Sequence, residues 1–210
     1  QRMKLVLARH GNTFGPGDTP VWVGAKEDLP LVEKGQQQSL DAGHYLVRHD
    51  LQPDLIICGP LKRTLEGAAI ISSLTGYEPS QIVVDDRLRE IDYGSWGGKS
   101  DAEIEARFGA KVIEDWRERS IVPAEADWSP KPDNLRAHAR AVLEDVLASG
   151  EETVLLISSN GILRFYHDIF YANISDPPSS KVKTGHICLA NWTGKTFEPV
   201  LWNYNPVADI

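Results

Sequence analysis

Cysteine is scarce in this chain of 210 residues, which contains only Cys58 and Cys188. The two lie far apart, each within an apolar run, so the sequence predicts two buried thiols rather than a disulfide framework or a cysteine-based metal site. The six histidines show no zinc-like spacing with cysteine or acidic residues. We therefore expect no metal ligands and no cofactor.

Basic residues and long apolar runs are also in short supply. There are 22 Lys and Arg against 30 Asp and Glu, a net charge of −8, which argues against a nucleic-acid-binding or membrane-binding surface. No run approaches the length of a membrane span, and the first, Leu5–Ala8, is too short for a signal-peptide core. We expect a cytoplasmic protein. A small anionic ligand is still compatible with this charge, because a local cluster of arginines can override it.

What the chain does contain is an alternation of strand-like and helix-like segments. Continuous apolar runs at Leu5, Leu55 and Val154 are typical of strands buried on both faces, and a further strand is predicted over Ser80–Leu88. The alternation predicts an α/β fold, a three-layer α/β/α sandwich around a mostly parallel sheet, in a single domain spanning all 210 residues. Residues 92–134 interrupt the alternation and are the candidate for a small inserted cap.

Polar groups gather just past the predicted strands. Arg9 and His10 follow the first strand, Arg63 follows the second, Glu90 follows the third, and Ser159–Gly161 open a helix after the fourth. Ligands of such folds bind beyond the carboxyl ends of the strands, so these groups should converge. Arginine forks and helix N-termini suit a phosphoryl group. Since neither a Walker-type loop nor a set of magnesium ligands is evident, His10 itself is a candidate nucleophile.

Three stretches resemble the motifs of the histidine phosphatase superfamily, also called the phosphoglycerate mutase-like family. They are "LARHGNT", "CGPLKRTLEGA" and "LREIDYGSWGG". The segment "DLPLVEKGQQQ" is also similar to the one that precedes the first helix in this family. The resemblance covers nearly the whole chain and implies an α/β/α sandwich, a phosphohistidine intermediate and no required metal.

The resemblance also implies a role for each motif residue. His10 would be the nucleophile that becomes phosphorylated, and Arg9 and Arg63 would grip the phosphoryl oxygens. Glu90 would protonate the leaving alkoxide and then deprotonate the attacking water. A histidine must be neutral to attack, and adjacent arginines disfavour its protonation. Three neighbouring carboxylates compete with Glu90 for its role: Asp85, Asp86 and Asp92.

Six more residues are predicted to bind the substrate around these four. Ser159 falls in the expected phosphate pocket, and Asn12 and Thr13 have an equally good interpretation as turn residues. The predicted substrate-binding residues are Gly11, Asn12, Thr13, Ser159, Asn160 and Gly161.

The chain departs from the family pattern at two positions near the expected site. The family normally has a second histidine after the fourth strand, and aligning the strand and Gly161 puts Ser159 in its place. A serine hydroxyl can donate a hydrogen bond but brings no charge, and loss of one preorganised donor typically costs about 3–4 kcal/mol of transition-state stabilisation. His186 and Arg164 are candidate substitutes, with structural roles as the alternative. Pro16 stands where the family often has an asparagine.

The leading functional hypothesis is a metal-independent phosphatase that hydrolyses a small organic phosphate monoester. Mutases of the family generally have longer chains, and the shortest members, which act on phosphohistidine proteins, lack a cap. The alternative is a catalytically weakened phosphate-ligand-binding or scaffold protein, motivated by Ser159 and Pro16, and a mutase is third. The expected partner is a small phosphorylated substrate, without nucleic acid or membrane. A homodimer is a hypothesis that the sequence does not decide.

Overall fold

The fold is built on one sheet in a computed structural model that describes residues 2–210. The six strands of this part of the chain are β1 (Met3–Arg9), β2 (Leu55–Cys58), β3 (Val83–Val84), β4 (Thr153–Ser158), β5 (Ile187–Trp192) and β6 (Phe197–Tyr204). They lie in the order β3-β2-β4-β1-β5-β6. The first four strands in this order are mutually parallel, whereas β5 and β6 are antiparallel to their neighbours. The predicted mostly parallel sheet is confirmed.

Helices alternate with the strands, as the sequence predicts. They are α1 (Glu33–Arg48), α2 (Lys62–Thr75), α3 (Asp101–Phe108), α4 (Ala110–Arg119), α5 (Pro132–Ala148) and α6 (Asn160–Phe170). Local signals explain several bounds. Gly76 ends α2 in the left-handed conformation with φ 77°, and Pro132 begins α5 at a position where its missing N–H costs nothing. Within the described residues, none of these helices combines the length and apolar character of a membrane span.

The helices cover both faces of the sheet and make three layers. Successive strand residues point to opposite faces. On one face Val6 and Ile56 pack with residues of α1 and α2, and on the other Leu5 and Leu156 pack with α5 and α6. The α/β/α sandwich is therefore confirmed. Cys58 and Cys188 are buried free thiols in these two cores, and burial raises the pKa of Cys58 to about 11.

The strand predicted over Ser80–Leu88 is wrong in extent. Only Val83 and Val84 form a strand, between 3₁₀ turns at Pro79–Gln81 and Asp86–Leu88. The Asp85 side chain accepts a hydrogen bond from the Arg87 N–H and so caps the second turn. The two valines are 43% and 52% exposed because β3 is an edge strand, so no second face holds the chain extended.

The segment between β3 and β4 closes on itself. Asp92 and Ser129 form an antiparallel bridge, with N–H to carbonyl distances of 2.8 and 2.9 Å in the two directions. We call Asp92–Ser129 the cap segment; it contains α3 and α4 and ends before the predicted bound at residue 134, because α5 already begins at Pro132. Two of its three tryptophans, Trp96 and Trp128, are fully buried and meet edge to face at 5.1 Å.

Candidate active site

A cavity of about 840 Å³ lies at the carboxyl ends of β1 and β4, where the sequence predicts the site. Its wall is completed by the loop 12–23 and by α3 and α4 of the cap segment. Six predicted site residues line it: Arg9, His10, Asn12, Thr13, Glu90 and Asn160. The other four, Gly11, Arg63, Ser159 and Gly161, are buried and lie outside the lining set.

His10 is held as a neutral imidazole. Its Nδ1 lies 2.8 Å from the carbonyl oxygen of Gly11, which can only accept, so Nδ1 carries the proton and Nε2 keeps its lone pair. Burial lowers the pKa of His10 well below its usual value of 6.5, and the positive charges of Arg9 and Arg63 lower it further. A neutral Nε2 beside two cations is the electronic state of a nucleophile for an anionic substrate.

The two arginines act on His10 through their charges, Arg9 from the end of β1 at the cavity wall and Arg63 from the first turn of α2 behind it. Arg9 Nη1 donates to the carbonyl of Val182 at 2.8 Å, and Arg63 donates to the carbonyls of Glu27 at 2.7 Å and Gly24 at 3.1 Å. These bonds fix both guanidinium planes. The Nε groups of Arg9 and Arg63 are buried and have no hydrogen-bond acceptor in the described chain. A buried N–H without a partner is costly, and an oxyanion would satisfy it.

Glu90 is a buried carboxyl at the edge of the same cavity. Its oxygens accept from the backbone N–H of Ile91 at 2.8 Å and of Gly161 at 3.3 Å. Burial raises its pKa, and these two bonds and the nearby Arg63 and Arg9 only partly oppose the rise. A carboxyl with a raised pKa keeps its proton to higher pH than an exposed one and can donate it, which suits an acid–base group. Its competitors Asp85, Asp86 and Asp92 do not line the cavity.

The two predicted glycines allow close backbone approach. A Cβ at Gly11 would lie 2.4 Å from the carbonyl oxygen of Gly35 in α1, so Gly11 lets the loop after β1 pack directly on that helix. A Cβ at Gly161 would lie 2.5 Å from Oε1 of Glu90. Both residues thus position the loop or the carboxyl, and neither is placed to touch a ligand in the cavity.

Asn12 and Asn160 line the cavity and also organise its loops. The Asn12 backbone N–H donates to the side chain of Gln38 at 2.7 Å, and its side-chain oxygen accepts from the Thr184 hydroxyl. The Asn160 side-chain oxygen accepts from the N–H of Val182 at 3.2 Å. Because the Val182 carbonyl in turn holds Arg9, Asn160 helps to fix that arginine.

Ser159 precedes α6, with its hydroxyl left unused. It is 1% exposed, makes no side-chain capping bond to the helix, and its Oγ is buried without a partner among the described residues.

Of the suggested substitutes for a second histidine, neither lines the cavity. Arg164 Nη1 donates to the carbonyl of Trp116 at 2.8 Å, and His186 Nδ1 lies 3.0 Å from the Asn203 side-chain oxygen. Pro16 is exposed and also lies outside the lining.

Sequence reasoning missed several residues of the cavity. Tyr93 lines it beside Glu90, and burial followed by the charge of Glu90 raises the Tyr93 pKa well above its usual value, so it remains a neutral phenol. Thr184 comes from the loop before β5, far along the chain. Asp101 and Arg117 come from the cap helices and form an ion pair at 2.6 Å. The only signal for Tyr93 is its place three residues after Glu90, and the sequence has none for the others.

Comparison with protein-family models shows the family to which the chain belongs. The model of the histidine phosphatase superfamily (branch 1) matches residues 5–205. The chain belongs to this superfamily. The family resemblance drawn from the three sequence motifs is thereby confirmed, and the phosphatase class expected of the enzyme agrees with the histidine phosphatase relatives.

Two curated members of the superfamily illustrate the range of relatives. The glucosyl-3-phosphoglycerate phosphatase of Mycobacterium tuberculosis is 28% identical over 222 aligned positions, which cover 95% of this chain and 91% of that protein. The 2,3-bisphosphoglycerate-dependent phosphoglycerate mutase of Streptococcus agalactiae is 31% identical over 171 positions, covering 79% of this chain and 71% of that protein.

Solved structures of other proteins show the same fold. The mycobacterial glucosyl-3-phosphoglycerate phosphatase superimposes with a TM-score of 0.74 at 22% identity, covering 97% of this chain and 98% of that one. A structure named mycobacterial hydrolase 1 gives a TM-score of 0.76 at 20% identity, covering 98% and 100%. At these identities the likeness supports the architecture alone.

Proposed function

We propose that this histidine phosphatase hydrolyses a small organic phosphate monoester, without a metal ion, through a phosphohistidine on His10. The observation that carries the proposal is the state of His10. Its Nδ1 proton is committed to the Gly11 carbonyl, and its neighbours are two guanidinium groups whose buried Nε atoms have no partner in the described chain. Two fixed cations beside a neutral nucleophile match the needs of phosphoryl transfer.

The first half-reaction moves the phosphoryl group to the histidine. His10 Nε2 attacks phosphorus, the bond from phosphorus to the ester oxygen breaks, and the Glu90 carboxyl gives its proton to the leaving alkoxide. Arg9 and Arg63 hold the equatorial oxygens, where charge concentrates in a loose transition state. The arginine charges act without a metal because they are already fixed by backbone carbonyls.

The second half-reaction returns the enzyme to its starting state. The Glu90 carboxylate takes a proton from water, the water oxygen attacks phosphorus, and the bond from phosphorus to Nε2 breaks to release inorganic phosphate. Glu90 ends protonated and His10 ends neutral, so the cycle is balanced. One carboxyl can serve both steps because alcohol and water use the same face of the site.

The names of the relatives support a small phosphorylated substrate. One is named for glucosyl-3-phosphoglycerate and another for phosphoglycerate, and both names denote phosphate esters of small polar molecules. A mutase would form the same phosphohistidine but return the phosphoryl group to an organic acceptor. Release of inorganic phosphate, as against isomerisation of phosphoglycerate, separates the two activities.

Ser159 favours a second candidate function, a phosphate-binding protein with weakened catalysis. We propose that Ser159 occupies the place of the family's second histidine and that its partnerless hydroxyl donates to a phosphoryl oxygen. It brings no charge, so turnover should be slow in comparison with a two-histidine site. Ser159→Ala should weaken vanadate binding by about 1–3 kcal/mol. Tight vanadate binding without turnover on any phosphoester, with turnover gained in Ser159→His, would favour the binding protein.

The primary test is to trap the intermediate. Rapid quench of the wild-type protein with a ³²P-labelled monoester should leave label that is stable to base, labile to acid and located on His10. Turnover should persist in EDTA. Label on a serine, full activity of His10→Ala, or loss of activity in EDTA that magnesium or zinc restores would contradict the proposal. His44→Ala, an exposed histidine on α1, is the matched control and should keep both label and activity.

A further inference from the structure

The cavity extends past the phosphoryl site between the loop 14–23 and the cap segment. Most of its wall in this part is apolar and aromatic, formed by Phe14, Pro20, Val21, Trp22, Val23 and Trp116. Trp22 is joined to the cap segment by backbone hydrogen bonds with Lys99 at 2.9 Å and Gly98 at 2.8 Å, so the two sides form one surface. Such a wall favours an organic group that buries apolar area.

The charged residues of this wall already have ion-pair or hydrogen-bond partners within the protein. Arg117 donates to both carboxylate oxygens of Asp101, at 2.6 and 2.9 Å, and its guanidinium lies 5.3 Å from the Trp22 ring centroid. The same Asp101 carboxylate accepts from Trp22 Nε1 at 2.9 Å. Asp18 Oδ2 accepts from the Gly15 N–H at 2.7 Å. The charged side chains of this wall are therefore two carboxylates and one arginine. The arginine is bound to Asp101 through both of its Nη atoms.

A second anionic group on the substrate would find no free cation among the described lining residues outside the phosphoryl site. Among residues 2–210, no lysine lines the cavity, and Arg117 is paired with Asp101. We infer that the organic group of the substrate is apolar and uncharged, and that Asp101 enforces this choice by occupying Arg117. The inference rests on the proposed phosphatase function and adds a substrate class to it.

The physical reason is discrimination by an unfavourable contact. A carboxylate on the organic group would have to displace Asp101 from a two-bond ion pair, or else lie unpaired near Asp101 and Asp18. Both choices cost free energy that an uncharged group does not incur. Asp101 is therefore a specificity residue that acts through Arg117 and takes no part in the bond-breaking step.

The test uses two esters of almost the same shape that differ in charge, 4-carbamoylphenyl phosphate and 4-carboxyphenyl phosphate. The wild-type protein should have the higher kcat/KM for the carbamoyl ester. Asp101→Asn keeps an oxygen that can accept from Trp22 but removes the charge that holds Arg117. It should shift the ratio of the two kcat/KM values toward the carboxylate ester by about fivefold, the upper range for a half-exposed pair. The ratio between variants cancels the intrinsic reactivity of each ester.

The matched control is Asp115→Asn. Asp115 lies on α4, the helix of Arg117, pairs with Arg119 at 2.8 Å and does not line the cavity, so this variant makes the same change in net charge within the cap segment. It should leave the ratio as in the wild type. Arg117→Gln is the second variant and should abolish the gain when combined with Asp101→Asn. Thermal unfolding of each variant checks that it is folded.

Two kinds of failure are distinguishable. A wild-type protein that hydrolyses both esters through the trapped phosphohistidine but prefers the carboxylate ester, or an Asp101→Asn variant with an unchanged ratio, overturns the inference and leaves the phosphatase intact. Absence of turnover on both esters and of label on His10 overturns the proposed function and the inference together.

Discussion

At the scale of single residues, burial acts on His10 and Glu90 in opposite directions. Taking a charge out of water disfavours it, so burial lowers the pKa of the imidazole and raises that of the carboxyl. Arg9 and Arg63 also oppose a positive charge on His10. The same environment therefore favours a neutral nucleophile and a protonated acid, the two states that the first half-reaction requires.

The pH dependence of the reaction should follow from these shifts. His10 stays neutral as the pH falls through 6.5, because its pKa lies well below that value. The acid limb of kcat/KM that belongs to His10 should therefore appear only at more acidic pH. The raised pKa of Glu90 sets the alkaline limb, since kcat/KM declines once the acid has lost its proton.

Glu90→Gln should remove that alkaline limb in a profile measured with phenyl phosphate. The substrate's own phosphate ionises with a pKa of about 6 in the profiles of both the wild type and Glu90→Gln. Its effect therefore cancels in the ratio of the two kcat/KM values. An alkaline limb that persists in Glu90→Gln would show that another group supplies the proton.

The effect of Glu90→Gln should also depend on the leaving group. An alkyl alkoxide needs a proton as it departs, so the variant should lose about 10²- to 10⁴-fold in the rate of phosphohistidine formation. A 4-nitrophenolate departs without one and should lose far less. Single-turnover rates of enzyme phosphorylation with the two esters measure the difference, and equal losses would count against Glu90 as the acid. Glu125→Gln, an exposed cap residue outside the cavity, is the control.

The parts of the site that could be predicted are those fixed by strand ends. Arg9 ends β1, His10 follows it, and Asn160 follows β4, so the parallel sheet brings them to one edge. Tyr93 and Arg117 reach the cavity through the cap, whose path depends on tertiary packing. No periodicity or spacing in the sequence encodes that path.

At the scale of elements, the contact between the first loop and α1 is set by two glycines. A Cβ at Gly35 would lie 2.2 Å from the backbone oxygen of Asn12, and the Asn12 carbonyl also accepts the N–H of Val32 at 3.1 Å. This loop carries Gly11, which holds the His10 ring. The start of α1 is thus part of the support of the nucleophile.

Gly35→Ala should destabilise the protein although it improves helix propensity. The clash with fixed backbone should cost about 1–3 kcal/mol of the free energy of unfolding, a typical cost of overpacking. The matched control is Gly67→Ala in α2, where the nearest atom to the new Cβ is Ser39 Oγ at 3.4 Å. It should stabilise by up to about 1 kcal/mol from propensity alone. Urea denaturation gives both values, and an equal gain in the two variants would contradict the packing argument.

Secondary structure could be predicted where an apolar run in the sequence corresponds to a strand that is buried inside the sheet. The strands β1, β2 and β4 lie inside the sheet and read as continuous apolar runs, whereas β3 lies at its edge. There the apolar residues Val83 and Val84 are exposed, and Asp85 caps a 3₁₀ turn instead of extending the strand. Whether a strand has a neighbouring strand on both sides depends on the fold, and the local sequence does not reveal it.

At the scale of the whole molecule, the cap segment shares its core with one face of the sheet. Trp96, Ile104 and Trp116 of the cap belong to the same apolar cluster as Leu5 and Leu156. The bridge between Asp92 and Ser129 joins the two ends of the segment at that core. Removing the cap would expose apolar surface on both sides, so we expect the cap and the sheet to be stable only together.

This continuity predicts one cooperative unfolding transition for the single domain that the sequence indicates. Trp96, Trp116 and Trp128 lie in the cap, whereas most of the helical signal comes from α1, α2, α5 and α6 outside it. Tryptophan fluorescence and far-ultraviolet circular dichroism should therefore give the same urea midpoint, as two-state unfolding requires. Trp192→Phe and Trp202→Phe remove the indoles of β5 and β6, so the fluorescence reports more of the cap. A fluorescence midpoint at lower urea than the dichroism midpoint would mean that the cap opens first, and Asp92–Ser129 would then be a separate unit.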